Sequence, residues 1–326
     1  MNQAKEAGHK MIYYQRTIRE KIGCTGIGLH SGKKAKITLI PAEPNTGIIF
    51  KRTDVSHEGS LIEASYQNLA TVNYATTLSK NGISVQTVEH LLAALAGVGI
   101  DNLIIEIDSD EVPIMDGSAA PFVFLLQEAG ILEQAAPKKY LKIKKTIQVG
   151  TEEKFIRITP SEELAITYTI NFNHPLINTQ KAHYTITEAS FLKKISRART
   201  FGFLHEAKQL REAGLIKGGS LDNAIVVGDY HILNGALRFD DEFVCHKIID
   251  FIGDISLVGR PIIGHVTAYK AGHGLHSLLV KEIARYLHKW ECILVPEEVC
   301  TCEVIRPQKE MGYSCPSASL ATTIAS

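Results

Sequence analysis

The sequence has no surplus of either charge. Lys and Arg number 35 and Asp and Glu number 35, so the formal net charge is zero and the basic footprint of a dedicated nucleic-acid binder is missing. Long apolar runs are also absent. The longest near-apolar stretch, Leu91 to Ile100, covers about half of the ~20 residues that span a bilayer, so no transmembrane segment is expected. The opening MNQAKEAGHK carries charge without an apolar block behind it, and neither a secretory signal nor an anchor is expected there. Cysteine is sparse. Cys24, Cys245, Cys292, Cys300, Cys302 and Cys315 lack the dense spacing of a disulfide scaffold and fit reduced thiols in a cytoplasm. What remains is ordinary globular composition, 45% hydrophobic and 21% charged, which excludes disorder, collagen-like repeats and coiled coil.

A length of 326 residues suggests two domains, each with its own core. In the first half, Lys36 to Pro41 and Gly47 to Lys51 look like paired strands joined by the turn residues from Pro44 to Gly47. A helical pattern follows from Val85 to Leu95, then a strand at Leu103 to Ile107 and a helix at Ala119 to Ala129 ending at Gly130. The stretch QAAPKK, Gln134 to Lys139, is the best linker candidate. It places an N-terminal domain over residues 1–134 and a second over 140–295, with a polar tail at 296–326. The second half repeats the order, with strands at Leu141 to Ile147, Phe155 to Ile158 and Ala165 to Phe172. A helix at Glu242 to Val258, a strand at Ile262 to Tyr269 and a helix at Leu275 to Trp290 follow. An extra segment, about Ile195 to Asp229, carries a helix through Leu204 to Ala213 and an apolar strand from Ala224 to Val227.

Chemistry concentrates in a few places. In His246-Lys-Ile-Ile-Asp250 the imidazole and carboxylate are four residues apart and share a helix face, with Asp254 one turn further on. Taken alone, HxxxD also describes the solvated face of an amphipathic helix. Glu89 and His90 open an otherwise apolar helix, TVEHLLAAL, where burying them without a partner is costly. Two imidazoles and one carboxylate from His90, His246 and Asp250 would make a three-ligand zinc site with a place for water, and Glu89 would stand by as base. The alternative for Glu89 is simple complementarity to the helix dipole. His273 lies between glycines after an apolar strand, read here as a loop that presents the ring into a cleft, and a hydrogen bond donated to Asp254 would keep it charged. An ordinary loop histidine is the bland alternative, with His276 close by. The stretches CTGIGLHSGKKA and RARTFGF are rich in glycine and hydroxyls. His30 and Lys33 in the first are candidate diphosphate contacts, Lys247 is a better one, and a tight turn is the plainer reading of the glycines.

These segments together carry a family resemblance. GIGLHSG, TVEHLLAAL, EVPIMDGSAAPF, ISRARTFGF, GGSLDNAIVV, LRFDDEFVCHKIIDFIGD and YKAGH, in this order from about Ile12 to Val295, make the chain similar to the zinc-dependent UDP-3-O-acyl-N-acetylglucosamine deacetylases. Those enzymes act in an early committed step of bacterial lipid A synthesis. The resemblance implies an α+β fold, two similar layered sheet-and-helix domains with the active site between them, and hydrolysis of an N-acetyl group with release of acetate. It implies that His90, His246 and Asp250 are zinc ligands, Glu89 the base, His273 the acid, Asp254 its support and Thr200 a hydroxyl that stabilises the oxyanion. Lys247, His30 and Phe201 would line the substrate cleft. Leu204, Leu215 and Ala224, with Leu210 and Ile216, would line an apolar passage for the acyl chain. Zinc and ferrous iron both suit the ligand set. The competing classes are a nucleotide-sugar binder that has lost turnover, for which the full set Glu89, His273 and Asp254 has no use, and a zincin-like peptidase, for which EHLLA lacks the second histidine of HExxH.

Overall fold

Short runs of β-branched residues dominate the chain, and they form most of its regular structure as strands. The computed structural model describes residues 12–55 and 60–294; the expected tail, with Cys300, Cys302 and Cys315, lies outside them. The first half runs β1 (Tyr14–Ile18), β2 (Ile22–Ile27), β3 (Lys34–Pro41), β4 (Ile48–Arg52), β5 (Leu61–Glu63), β6 (Leu69–Thr71), β7 (Thr77–Lys80) and β8 (Ile83–Val85). It continues with α1 (Glu89–Val98), β9 (Leu103–Ile107), α2 (Ala120–Ala129) and β10 (Ile131–Pro137). Next come β11 (Lys139–Lys142), β12 (Ile147–Gly150), β13 (Phe155–Thr159), β14 (Leu164–Asn171), β15 (Thr179–Thr185), α3 (Glu188–Ser190) and β16 (Phe201–Phe203). The chain then forms α4 (Leu204–Glu212), β17 (Ile225–Val227), α5 (Glu242–Ser256), β18 (Ile262–Tyr269), α6 (His273–Ala284), α7 (Leu287–Trp290) and β19 (Glu291–Ile293). The fold is mixed α and β with several sheets.

One sheet has the order β2-β3-β9-β4-β5, and a larger one is built around β18 from strands that follow β10. The expected pairing of β3 with β4 does not occur. β9 stands between them, antiparallel to β3 and parallel to β4. A parallel neighbour needs a crossover, and α1, lying between β4 and β9 in the chain, lets β9 enter the position that a hairpin would have filled. The expected linker is likewise regular structure. Gln134 to Pro137 belong to β10, which pairs with β1, and Lys139 opens β11, which pairs with β18 and β19. Lys138 between them is buried, donating to Asp101 Oδ2 at 2.7 Å and to the Gly99 carbonyl at 3.0 Å. The expected strand Leu141 to Ile147 is split between β11 and β12, and the last expected helix is split into α6 and α7.

α1 begins four residues later than its apolar pattern predicts, because Val85 pairs in the sheet of β6, β7 and β8. It ends at Gly99, whose φ of 84° is the left-handed cap that favours glycine. Every residue of α1 except Ala96 is buried, as expected of a helix that is apolar all round. α1 packs directly against α5. The approach is close at one point. A methyl group at Gly253 of α5 would collide with the Glu89 carbonyl oxygen at the start of α1. Apolar residues from both halves, Ile37, Leu91, Phe122, Phe251 and Val266 among them, join one continuous core around this helix pair.

Candidate active site

The first turn of α1 and the middle of α5 supply the functional side chains. Glu89 and His90 are 3% and 4% exposed, and His246, Asp250 and Asp254 are 1%, 2% and 3% exposed. Buried charges require partners, and these side chains face one another. His246 Nε2 lies 3.3 Å and His90 Nε2 3.6 Å from Asp250 Oδ1, with the rings of His90 and His246 edge to face.

Those separations identify what the group is suited to hold. Ligand atoms about 2.0 to 2.1 Å from one tetrahedral centre stand about 3.4 Å apart, and the donor atoms of His90, His246 and Asp250 all lie within 4.8 Å of one another. The protonation states agree. His246 Nδ1 stands 3.0 Å from the Ala198 carbonyl, so that nitrogen carries the proton and Nε2 keeps its lone pair. Burial, and secondarily its neighbours His90 and Lys247, hold the His246 ring neutral against the pull of Asp250. Burial opposes ionisation of Asp250, but the Lys247 charge and His246 outweigh it and hold its carboxyl well below the usual range. These residues fit a divalent cation of zinc type.

A second group lies one turn along α5. Asp254 Oδ2 is 2.7 Å from His273 Nδ1 and 2.7 Å from His276 Nδ1, while Asp254 Oδ1 accepts from Thr76 Oγ1 at 2.5 Å. Thr76, fully buried, also gives its backbone N–H to Glu89 Oε2 at 3.1 Å. His273 Nε2 points back across the site, 4.0 Å from Glu89 Oε1 and 4.0 Å from Asp250 Oδ2. Burial disfavours the charged ring, yet the charge and hydrogen bond of Asp254, followed by Asp250 and Glu89, raise His273 to about 9. Burial likewise works against ionised Asp254, and His273 and His276 bring it down to about 2. Glu89 is pushed up, first by burial and then by Asp254 and Asp250, against the pull of His273 and His90. One correction concerns His273, which is not in a loop. It is the first residue of α6, after the extended Gly272, so a helix start fixes its direction.

Of the other expected residues, Lys247 and Phe201 border this centre. Thr200 is held by its backbone, donating to the Gly117 carbonyl at 2.7 Å and accepting from Ile225 N–H at 2.8 Å. Phe201 packs on Phe243 with ring centroids 4.9 Å apart and stands 6.4 Å from the His246 ring. Lys247 lies over the Phe201 ring and donates to Asp250 Oδ2 at 2.7 Å. Leu204 is 49% exposed, and no residue of α4 is buried; Leu215 and Ala224 are half-buried. His30 belongs to a different hydrogen-bonded group, and its ring nitrogens are buried with no partner among the described residues. Its backbone N–H donates to Glu111 Oε1 at 2.8 Å, Ser31 N–H donates to Oε2 at 2.7 Å, and Thr87 Oγ1 donates to Oε1 at 3.0 Å. A methyl at Gly28 would strike that carboxylate, so this glycine makes room for a buried acid. Lys33 pairs with Asp110 at 2.9 Å.

Sequence reasoning missed Thr76, Glu111 and the contact of His276 with Asp254. Glu111 lies in a quoted motif, EVPIMDGSAAPF, but a lone carboxylate gives no sign of the loop it will hold. Thr76 has no local signal at all, since its hydroxyl partner is 178 residues away.

Comparisons with known proteins show which family the chain resembles. Residues 15–285 match the family LpxC, UDP-3-O-acyl N-acetylglycosamine deacetylase. The UDP-3-O-acyl-N-acetylglucosamine deacetylase of Teredinibacter turnerae is 49% identical over 287 residues, which cover 87% of this chain and 94% of that protein. The enzyme of the same name from Saccharophagus degradans is 48% identical over 297 residues, 90% and 98% of the two chains. That from Myxococcus xanthus is 52% identical over 272 residues, 83% and 86%. A match over most of its length, at about half identity, makes this chain a member of the UDP-3-O-acyl-N-acetylglucosamine deacetylase family.

Proposed function

We infer that the chain hydrolyses the N-acetyl group of UDP-3-O-acyl-N-acetylglucosamine and releases acetate, the deacetylation that serves lipid A synthesis. The observation that carries this is the pairing, within 4.0 Å, of a buried carboxylate whose pKa is raised with an imidazole held charged, directly beside a cluster of metal-ligand type. Base and acid of opposite tendency on one reacting centre are what amide hydrolysis needs.

His90, His246 and Asp250 would hold the metal, zinc by family and ferrous iron by the same donor chemistry. A divalent ion there supplies Lewis acidity, polarising the acetyl carbonyl and easing loss of a proton from water. Glu89 takes the proton of the attacking water as its oxygen bonds to the carbonyl carbon. The hydroxyl of Thr200 donates to the oxygen on which negative charge develops. His273 gives its Nε2 proton to the sugar nitrogen as the C–N bond breaks, so the products are acetate and a free amine. Asp254 holds His273 charged between turnovers. Lys247, His30 and Phe201 serve the nucleotide sugar. The unburied apolar residues of the inserted segment, Leu204 with Leu215 and Ala224, serve the acyl chain, a reading supported by α4 having no buried residue. Glu89, His90 and His30 come from the first half, and Thr200, His246, Lys247, Asp250, Asp254 and His273 from the second. That partition supports two layered sheet-and-helix domains, 1–134 and 140–295, with the cleft between them.

The test is acetate release from the UDP-sugar by metal-loaded protein, with metal content measured on the same sample. Turnover that disappears on chelation and returns with zinc or ferrous iron supports the reading. Binding of the UDP-sugar without acetate release by fully loaded protein would instead make the chain a nucleotide-sugar binder.

A further inference from the structure

The reaction as derived uses His273 and Asp254 but leaves a neighbouring buried histidine unemployed. His276 has no exposure and lies one turn after His273 on α6, its ring edge to face with Phe251. Its Nδ1 stands 2.7 Å from Asp254 Oδ2, and its Nε2 stands 3.0 Å from the phenolic oxygen of Tyr168 on β14. Tyr168 is itself fully buried.

The hydrogens in this chain follow from donor and acceptor bookkeeping. An ionised carboxylate only accepts, so His273 and His276 must both present an N–H at Nδ1 to the shared oxygen of Asp254. A neutral His276 then has a lone pair at Nε2, and the Tyr168 hydroxyl is the donor that faces it. Burial favours these states, keeping the imidazole of His276 neutral and the phenol of Tyr168 protonated. The order is fixed as Tyr168 to His276 to Asp254. With Thr76 on its other oxygen, the Asp254 carboxylate is held from both ends and cannot turn away from His273.

We propose that Tyr168 and His276 are positioning residues for the deacetylation, fixing Asp254 so that His273 aims its Nε2 proton at the sugar nitrogen. This rests on the function inferred above and adds to it a chain of residues that reaches from the reacting centre to a strand of the large sheet. The pair touches neither substrate nor metal, so its effect must pass through His273. An alternative is that the two side chains only satisfy one another in the core.

A double-mutant cycle in the metal-loaded enzyme separates the two. Tyr168→Phe should lower kcat about tenfold with KM unchanged, since a buried lone pair loses its donor. The same substitution made in His273→Ala should cost less than twofold, because the residue through which it acts is gone. Equal losses in both backgrounds would overturn the proposal. So would a loss that falls on KM alone. A rescue sharpens the cycle. In the double variant His276→Asn with Tyr168→Phe, the amide N–H can stand where Nδ1–H stood, and the Nε2 lone pair is removed together with its phenol donor, so kcat should return to within about threefold of wild type. Failure of this rescue in a variant that melts like wild type counts against the proposal. Nitrogen NMR of His276 in the holoenzyme gives a readout independent of turnover. The neutral ring with its proton on Nδ1 is expected, and a proton on Nε2 would sink the chain of donors. Absence of acetate release by wild type would defeat the functional reading, whereas the NMR result would still decide the hydrogen-bond order.

Discussion

Two clusters of the same composition, each with two histidines and one aspartate, are built on aspartates one turn apart on α5. They are wired in opposite ways. In the cluster of His90, His246 and Asp250, nitrogen and oxygen stand 3.3 and 3.6 Å apart, with the proton of His246 sent outward to the Ala198 carbonyl, so lone pairs converge. In the cluster of Asp254, His273 and His276, both separations are 2.7 Å and protons converge on the carboxylate. A search by residue type would score both as metal sites. The direction of the hydrogens tells them apart, since imidazole nitrogens that carry their protons toward the carboxylate have no lone pair there to offer a cation, while converging lone pairs need one.

The largest effect should come from reversing the first cluster's role. His246→Ala or Asp250→Ala should leave the purified protein with little metal and activity near background, because two remaining ligands make a poor site; His276→Ala should keep full metal content. Elemental analysis of these variants tests the distinction directly, and metal loss in His276→Ala would erase it. Next in size, Glu89→Ala and His273→Ala should keep the metal while kcat falls about 10² to 10⁴-fold, the span typical of general acid and base steps.

The pH profile follows from the second cluster. His273 is raised from 6.5 to about 9, so the stability it contributes is whole below 6.5 and fades as pH climbs through about 9. Asp254, lowered from 3.8 to about 2, contributes fully above 3.8 and loses that stability as pH falls toward 2. The rate should therefore drop on the alkaline side near pH 9 as the acid deprotonates, and on the acid side as Glu89 takes up a proton. An alkaline limb that survives unchanged in an active His273 variant would assign it elsewhere. The smallest effect belongs to Thr76→Val, which keeps the N–H to Glu89 and removes the hydroxyl from Asp254. A cost of about 1 kcal/mol in unfolding free energy and a several-fold drop in kcat are expected, with Thr76→Ser close to wild type in both.

The sequence carried the contiguous parts of this arrangement. The strands Leu103 to Ile107 and Ile262 to Tyr269 are read with their full spans, and the four-residue spacing of His246 and Asp250 needs only helix geometry to be seen. Partners distant in sequence were not legible. Thr76, Tyr168 and Glu111 act through bonds to segments far along the chain, and no local period marks them. Two local signals misled. Glycines on both sides of His273 suggested a loop, although Gly274 lies inside α6. Turn residues between β3 and β4 suggested a hairpin, although β9 takes the place between them. In each case tertiary placement overrode a short-range preference.

Gly253 ties these observations to a length. It sits between Asp250 and Asp254, where α5 backs onto the carbonyl of Glu89, so the same contact spaces both clusters from the base. One added methyl would wedge the helices apart, and an ångström of misplacement can cost a hundredfold in rate. The missing side chain thus works as a gauge block, setting ligand spacing and proton-transfer distance with one contact.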